Sequence, residues 1–143
     1  MKLSTRTRYG MRAIIELAQH EDKRPLQLKT IAERQDISVK YLEQLMSLLR
    51  SAGFVRSVRG SKGGYTLGRP ADQITLSEIF RCLEGAVTTA ECVDEESYCA
   101  RSADCAARDV WIRVEKAIQD VLGSIRLSDL IRKSRNGRAE YQI

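Results

Sequence analysis

Three cysteines, Cys92, Cys99 and Cys105, stand at spacing C-x6-C-x5-C, the first two within an acidic stretch, Ala86 to Asp104, that has no long apolar run, and the third at its end. Thiolates are the soft ligands that iron–sulfur clusters and zinc take. The first residues, Met1-Lys2-Leu3-Ser4-Thr5-Arg6, lack the apolar run of a signal peptide, and no segment approaches a membrane span, so the expected location is the cytoplasm, where disulfides are disfavoured. The spacing also lacks the close C-x2-C pair of a zinc ribbon. Chemistry alone therefore leaves an iron–sulfur cluster, zinc and a thiol switch open. Cys82 lies apart in an apolar helical pattern and reads as a buried structural thiol. His20, the single histidine, sits beside the polar run Glu21 to Arg24 and reads as solvated. With one histidine and no Ser-His-Asp set, phosphate-cradling loop or HExxH motif, there is little acid–base chemistry to build from, and the chain reads as a non-enzyme.

The elements that must carry these thiols centre on Leu28 to Leu67, which reads as two short helices joined at Gln35-Asp36 and followed by a β-hairpin. With Ser38 as N-cap, Leu42, Leu45, Met46 and Leu49 form an apolar stripe, while Lys40, Glu43, Gln44 and Ser47 recur on the opposite side. Ser38 and those four polar residues are side chains able to reach base edges in a major groove. Beyond Gly53, Phe54 to Arg59 alternates, Gly60-Ser61-Lys62-Gly63-Gly64 turns the chain, and Tyr65-Thr66-Leu67 returns. Arg59, Ser61, Lys62 and Gly63 make a basic, glycine-rich tip suited to phosphates or a narrow minor groove. The order helix, turn, helix and basic wing is that of a winged helix-turn-helix. Upstream, Thr5 to His20 reads as a helix whose start, with Arg6, Arg8 and Tyr9, is a further candidate DNA contact, its backbone N–H groups being available to a phosphate.

The net charge of +5 is unevenly spread: residues 1–70 hold 14 Lys/Arg against 6 Asp/Glu, a net of +8, whereas residues 71–143 hold 10 against 13, a net of −3. Positive charge travels with the winged helix, as a polyanion-binding module requires, and no basic amphipathic helix points to a membrane surface. Thr75 and Glu78 form a capping box that opens a helix with Leu76, Ile79, Phe80 and Leu83 inside, stopping near Gly85. After Cys105, apolar residues keep helical spacing over about 19 residues, roughly 30 Å. Val110, Trp111, Val114, Ala117, Ile118 and Val121 in that stripe are the expected homodimer interface, pairing two winged helices on a two-fold operator. The expected class is mainly α, divided as a winged helix at 1–85, a cysteine loop at 86–105, a dimerisation helix and short C-terminal helix at 106–133, and a polar tail at 134–143.

The whole chain resembles the IscR-type family of bacterial winged-helix regulators. The resemblance rests on Met1-Lys2-Leu3-Ser4-Thr5 with Arg8-Tyr9-Gly10, on Ile37 to Leu45, on Val58 to Tyr65, on Leu83-Glu84-Gly85, and on Trp111 after the last cysteine. In cluster-binding members three cysteines of this loop hold a 2Fe-2S or 4Fe-4S cluster, which implies that role for Cys92, Cys99 and Cys105, with 2Fe-2S preferred. The resemblance also implies a homodimeric regulator on double-stranded DNA with a pseudo-palindromic operator. The fourth ligand departs from the family: a histidine used by some relatives is replaced by Arg108, and an N-terminal aspartate used by others falls at Arg8 or a neighbour. Glu91, Asp94, Asp104, Asp109 or an exogenous molecule remain open in its place. The rival readings are a cluster-free regulator controlled by a protein partner, small effector, zinc or thiol oxidation, and, more remotely, an iron–sulfur redox protein.

Overall fold

Helix α1 (Thr5–Gln19) begins at Ser4, whose hydroxyl accepts from the Thr7 N–H, and buries Thr7, Gly10, Ala13, Ile14 and Leu17 along one face. The chain is described by a computed structural model over residues 2–20 and 24–140. Helix α2 (Leu28–Gln35) ends at Asp36, which takes the left-handed conformation (φ 52°) that an Asp tolerates and that turns the chain into α3 (Val39–Ser51). Ser38 caps α3 by accepting from the Tyr41 N–H at 3.2 Å, and Leu42, Leu45, Met46 and Leu49 face inward, as the spacing predicts.

Strands β1 (Val55–Val58) and β2 (Gly64–Leu67) pair antiparallel, with Val55 opposite Leu67 and Val58 opposite Gly64. An isolated antiparallel bridge adds to this two-stranded sheet. Leu26 exchanges both backbone hydrogen bonds with Tyr65 at 2.9 Å, tying the wing to the segment before α2. At the tip, a Cβ on Gly63 would lie 2.2 Å from the Val58 carbonyl oxygen, so the turn closes only around glycine.

Both halves of the Thr75–Glu78 capping box are formed, and α4 (Leu76–Leu83) buries Leu76, Ile79, Phe80 and Leu83. The cysteine stretch is less irregular than expected: α5 (Glu91–Asp94) is followed by single 3-10 turns at Glu96–Tyr98 and Ser102–Asp104. Helix α6 (Ala106–Ser124) packs one side on α4 and has no buried residue. The chain then re-enters the winged helix: Leu76 N–H donates to Ile125 and Leu127 N–H to Ile74, each at 2.9 Å, and Leu127 is wholly buried. The winged-helix unit expected at 1–85 therefore draws on both sides of α6, because its core includes Leu127 with Ile14, Ile31, Leu42, Leu49, Ile74 and Leu83. Helix α7 (Leu127–Glu140) runs through most of the segment expected as a polar tail from Ser134, and residues 141–143 lie outside the described ones. Cys82 is half-buried rather than buried, its thiol 3.7 Å from the Leu48 carbonyl, and desolvation pushes the thiol pKa up.

The start of α1 is already occupied by an anion of the chain itself. The Glu84 carboxylate accepts from Ser4 Oγ at 2.6 Å, from Ser4 N–H at 3.2 Å and from the buried Thr7 hydroxyl. The Ser4 hydroxyl, then the Thr7 hydroxyl, hold the Glu84 carboxyl below its usual range. Of the N–H groups expected to be available to a phosphate here, that of Ser4 is taken by Glu84 and that of Thr7 by Ser4 Oγ. Glu84→Ala should cost about 1–3 kcal/mol in denaturant unfolding at pH 7, because Thr7 and Ser4 lose their charged acceptor. A carboxyl with a depressed folded pKa stabilises fully above its unfolded value of about 4.3 and loses that contribution as pH falls through the folded value. The parent and the variant should therefore converge in stability as the medium is acidified below that range.

Candidate nucleic-acid interface and cysteine loop

Because α3 buries its Leu42, Leu45, Met46 and Leu49 side, the remaining side must face outward. Lys40, Glu43, Gln44 and Ser47 are all exposed and line one shallow concavity together with Leu48. Ser38 is exposed as well; its oxygen accepts the capping bond, which leaves its O–H free to donate. Spacing-based reasoning overlooked two apolar members of this face, Val39 and Leu48, which are 44% and 39% exposed. Such side chains suit a thymine methyl group. Their signal lay in the same helical register, where large apolar residues stand on the polar side.

At the wing, Arg59, Ser61 and Lys62 are exposed, whereas Gly63 is buried. Gly63 shapes the tip by permitting its closure, and the exposed surface there belongs to its neighbours. Among the described residues Arg8, Lys40, Arg59 and Lys62 enter no ion pair, so their charge is available to phosphates. Arg6 and Tyr9 are differently employed. Arg6 Nε–H donates to the Leu83 carbonyl at 2.6 Å, satisfying the end of α4. Tyr9 packs edge-to-face on Tyr41 in the first turn of α3, ring centroids 6.1 Å apart, with the Arg12 guanidinium 5.3 Å above its ring. Tyr9 thus packs α1 against the first turn of α3.

The three loop cysteines are placed by different elements: Cys92 on α5, Cys99 after the first 3-10 turn, and Cys105 at the N-cap of α6. All are free thiols; Cys99 is exposed and the other two are half-buried. Among the described residues no three His, Cys, Asp or Glu side chains converge on a point that could hold a metal ion, so the thiols are near one another along the chain without forming a closed ligand set. The loop is nevertheless fastened to the long helix. Arg108 Nε–H donates to the Cys92 carbonyl at 2.7 Å, Thr89 Oγ1–H to the Trp111 carbonyl at 3.2 Å, and Thr89 N–H to Glu115 Oε2 at 3.2 Å. Arg108 is permanently charged and has no acceptor, so it can donate to the Cys92 carbonyl but cannot ligate a metal as an imidazole would. Of the oxygen donors left open by the sequence, Asp94 accepts from Thr88 Oγ1 at 2.7 Å, while Glu91, Asp104 and Asp109 belong to the loop and the first turn of α6.

This donor set fits an iron–sulfur cluster in kind: three free soft sulfurs lie on or beside short helical elements, the last at a helix start whose N–H groups lack a side-chain cap and favour an anionic group. On α6, Val110, Trp111, Val114 and Val121 are 41–58% exposed and Ala117 is exposed, whereas Ile118 is half-buried. The opposite side of the helix carries Glu115, Gln119 and Leu122, which meet Phe80 and Arg81 of α4 across a narrow groove. No helix of the described residues is long and apolar enough to cross a membrane.

The profile of a family described as Rrf2, an iron-dependent transcriptional regulator, matches residues 3–133. The HTH-type transcriptional regulator CymR of Bacillus subtilis is 45% identical over 91% of this chain and 89% of its own length. A solved structure described as that of CymR, the global cysteine regulator of B. subtilis, superposes with a TM-score of 0.81 at 43% identity, covering 93% of this chain and 98% of the other. T. potens IscR superposes with a TM-score of 0.76 at 41% identity over 94% and 88% of the two chains. The oxidised form of Staphylococcus aureus CymR does so with a TM-score of 0.73 at 43% identity over 92% and 96%.

Proposed function

The chain belongs to the Rrf2 family of transcriptional regulators, and on that footing we propose that it is a cytoplasmic regulator whose cysteine loop holds an iron–sulfur cluster and transmits the state of that cluster to DNA. As a member of the family it binds double-stranded DNA as a homodimer and is not an enzyme. The observation that carries the proposal is that the loop bearing three free thiols is fastened to α6 through the Cys92 carbonyl, which accepts from Arg108, and through Thr89.

Cys92, Cys99 and Cys105 would hold the cluster, of the 2Fe-2S type in preference to 4Fe-4S. When bound it supplies a one-electron couple and a labile, oxidant-sensitive iron centre. The chain's own residues do the rest. Drawing Cys92, Cys99 and Cys105 onto one cluster would move the Cys92 backbone, Arg108 would carry that displacement into the first turn of α6, and α6 would set the spacing of two winged helices. Lys40, Glu43, Gln44 and Ser47 read base edges while Arg59 and Lys62 position the wing on the backbone. Absorption of oxygen-free protein, with iron and acid-labile sulfide counted per chain, tests the proposal: sulfide-to-iron bands with matched iron and sulfide support it, and a protein still colourless after reconstitution refutes it.

A second reading, thiol oxidation without metal, is favoured by the exposure of Cys99 and by the similarity to a CymR solved in an oxidised form. For the DNA face, Gln44→Ala should relax preference at one base pair by about 1–3 kcal/mol, whereas Lys62→Ala should weaken all sequences alike and lower the salt slope by about one. Binding titrations on matched and scrambled operators at several salt concentrations separate the two effects. Equal losses on every sequence would remove the division between reading and positioning.

A further inference from the structure

Between Cys99 and Cys105 lies a residue that the assignment of ligands leaves unused. From Ala86 to Arg126 every described side chain is exposed or half-buried except one, that of Ser102, at 5% exposure. The one buried side chain of this stretch is thus a hydroxyl rather than an apolar group. Its backbone is engaged, since Ser102 N–H donates to the Cys99 carbonyl at 3.0 Å and opens the turn that leads to Cys105. Its Oγ has no hydrogen-bond partner, and no other described buried side-chain nitrogen or oxygen is left in that state. An unpaired buried hydroxyl costs more than a methyl group in the same place, so the turn retains it at a net loss unless a partner arrives.

We propose that the Ser102 hydroxyl is a hydrogen-bond donor to a sulfur of the cluster, held three residues from Cys99 and three from Cys105 so that its partner appears when the thiols close on iron. This rests on the iron–sulfur reading above. Ser102 would be a positioning and tuning residue, not a ligand. Hydrogen bonds to cluster sulfurs stabilise the more negative, reduced state and so raise the reduction potential.

The test uses the full chain, reconstituted without oxygen, as parent, Ser102→Ala and Ser102→Thr. Ser102→Ala should keep the parental iron and sulfide per chain and shift the midpoint of the visible redox titration to more negative potential. Ser102→Thr, which keeps the hydroxyl, should restore the midpoint toward that of the parent. In the cluster-free chain Ser102→Ala should melt at the parental temperature or above it, because it removes an unpaired hydroxyl. An unchanged midpoint in Ser102→Ala, or a lower melting temperature of its cluster-free form, overturns the assignment; so does loss of iron from that variant, which would make Ser102 a ligand. Failure of the parent itself to take up iron is a different result, which refutes the iron–sulfur reading and this inference with it.

Discussion

Val114→Glu should yield a folded monomer that loses at least about 100-fold in operator affinity, the gain that joining two half-site readers ordinarily confers. Val114 stands with Val110, Trp111, Ala117 and Val121 on the exposed side of α6, and none of this apolar row is buried among the described residues. A carboxylate placed there would be buried without a counter-charge in the dimer and solvated in the monomer, so the whole penalty falls on association. The winged helix should be spared, because α6 contributes no buried residue to the core. Sedimentation gives the mass, thermal unfolding gives the fold, and titration of full and half operators separates affinity per subunit from pairing. Lys116→Ala is the matched control: its ammonium makes an exposed pair with Asp120 at 3.1 Å, worth little, and its removal should leave the dimer intact. A dimeric Val114→Glu with full affinity would move the interface off this row.

The apolar row of α6 and the two faces of α3 were legible in the chain for the same reason. Each is an amphipathic helix long enough for the 3.6-residue period to separate two faces, and each has a visible start, Ser38 for one and the end of the cysteine stretch for the other. The capping box at Thr75 and Glu78 is local chemistry and was equally readable. What escaped reading depends on partners far away in sequence. Leu26 joins the sheet only through two bonds to Tyr65, and Leu127 becomes core only because Ile74 and Ile125 bring α7 back under α1. Glu84 reaches the start of α1 across 80 positions and takes the Ser4 N–H and hydroxyl, a pairing that no local pattern announces. In the cysteine loop the limit is of another kind. Thiol chemistry names the ligands, but the turns between them have no period from which a closed geometry could be read, and the structure likewise leaves the three thiols unconverged.

Individual exchange of Cys92, Cys99 or Cys105 for alanine should remove essentially all iron and sulfide, since a cluster already short of a fourth cysteine cannot spare a thiolate. Exchange of Cys82 should leave both counts unchanged: that thiol sits on α4 against the Leu48 carbonyl, and burial raises its pKa, which disfavours the ligating thiolate. The winged helix should unfold as in the parent for all three loop variants, because none of these cysteines belongs to the core. Any change in operator binding would therefore come through α6. Arg108→Gln separates holding iron from reporting it: the thiols remain, so iron should still bind, but the charged link to the Cys92 carbonyl is weakened and the difference in operator affinity between loaded and empty protein should shrink. Persistence of that difference at full size would assign the coupling to the Thr89 bonds with Trp111 and Glu115, the other described attachment of the loop to the helix. Retention of a full iron complement in any of the three loop variants would refute the ligand assignment itself.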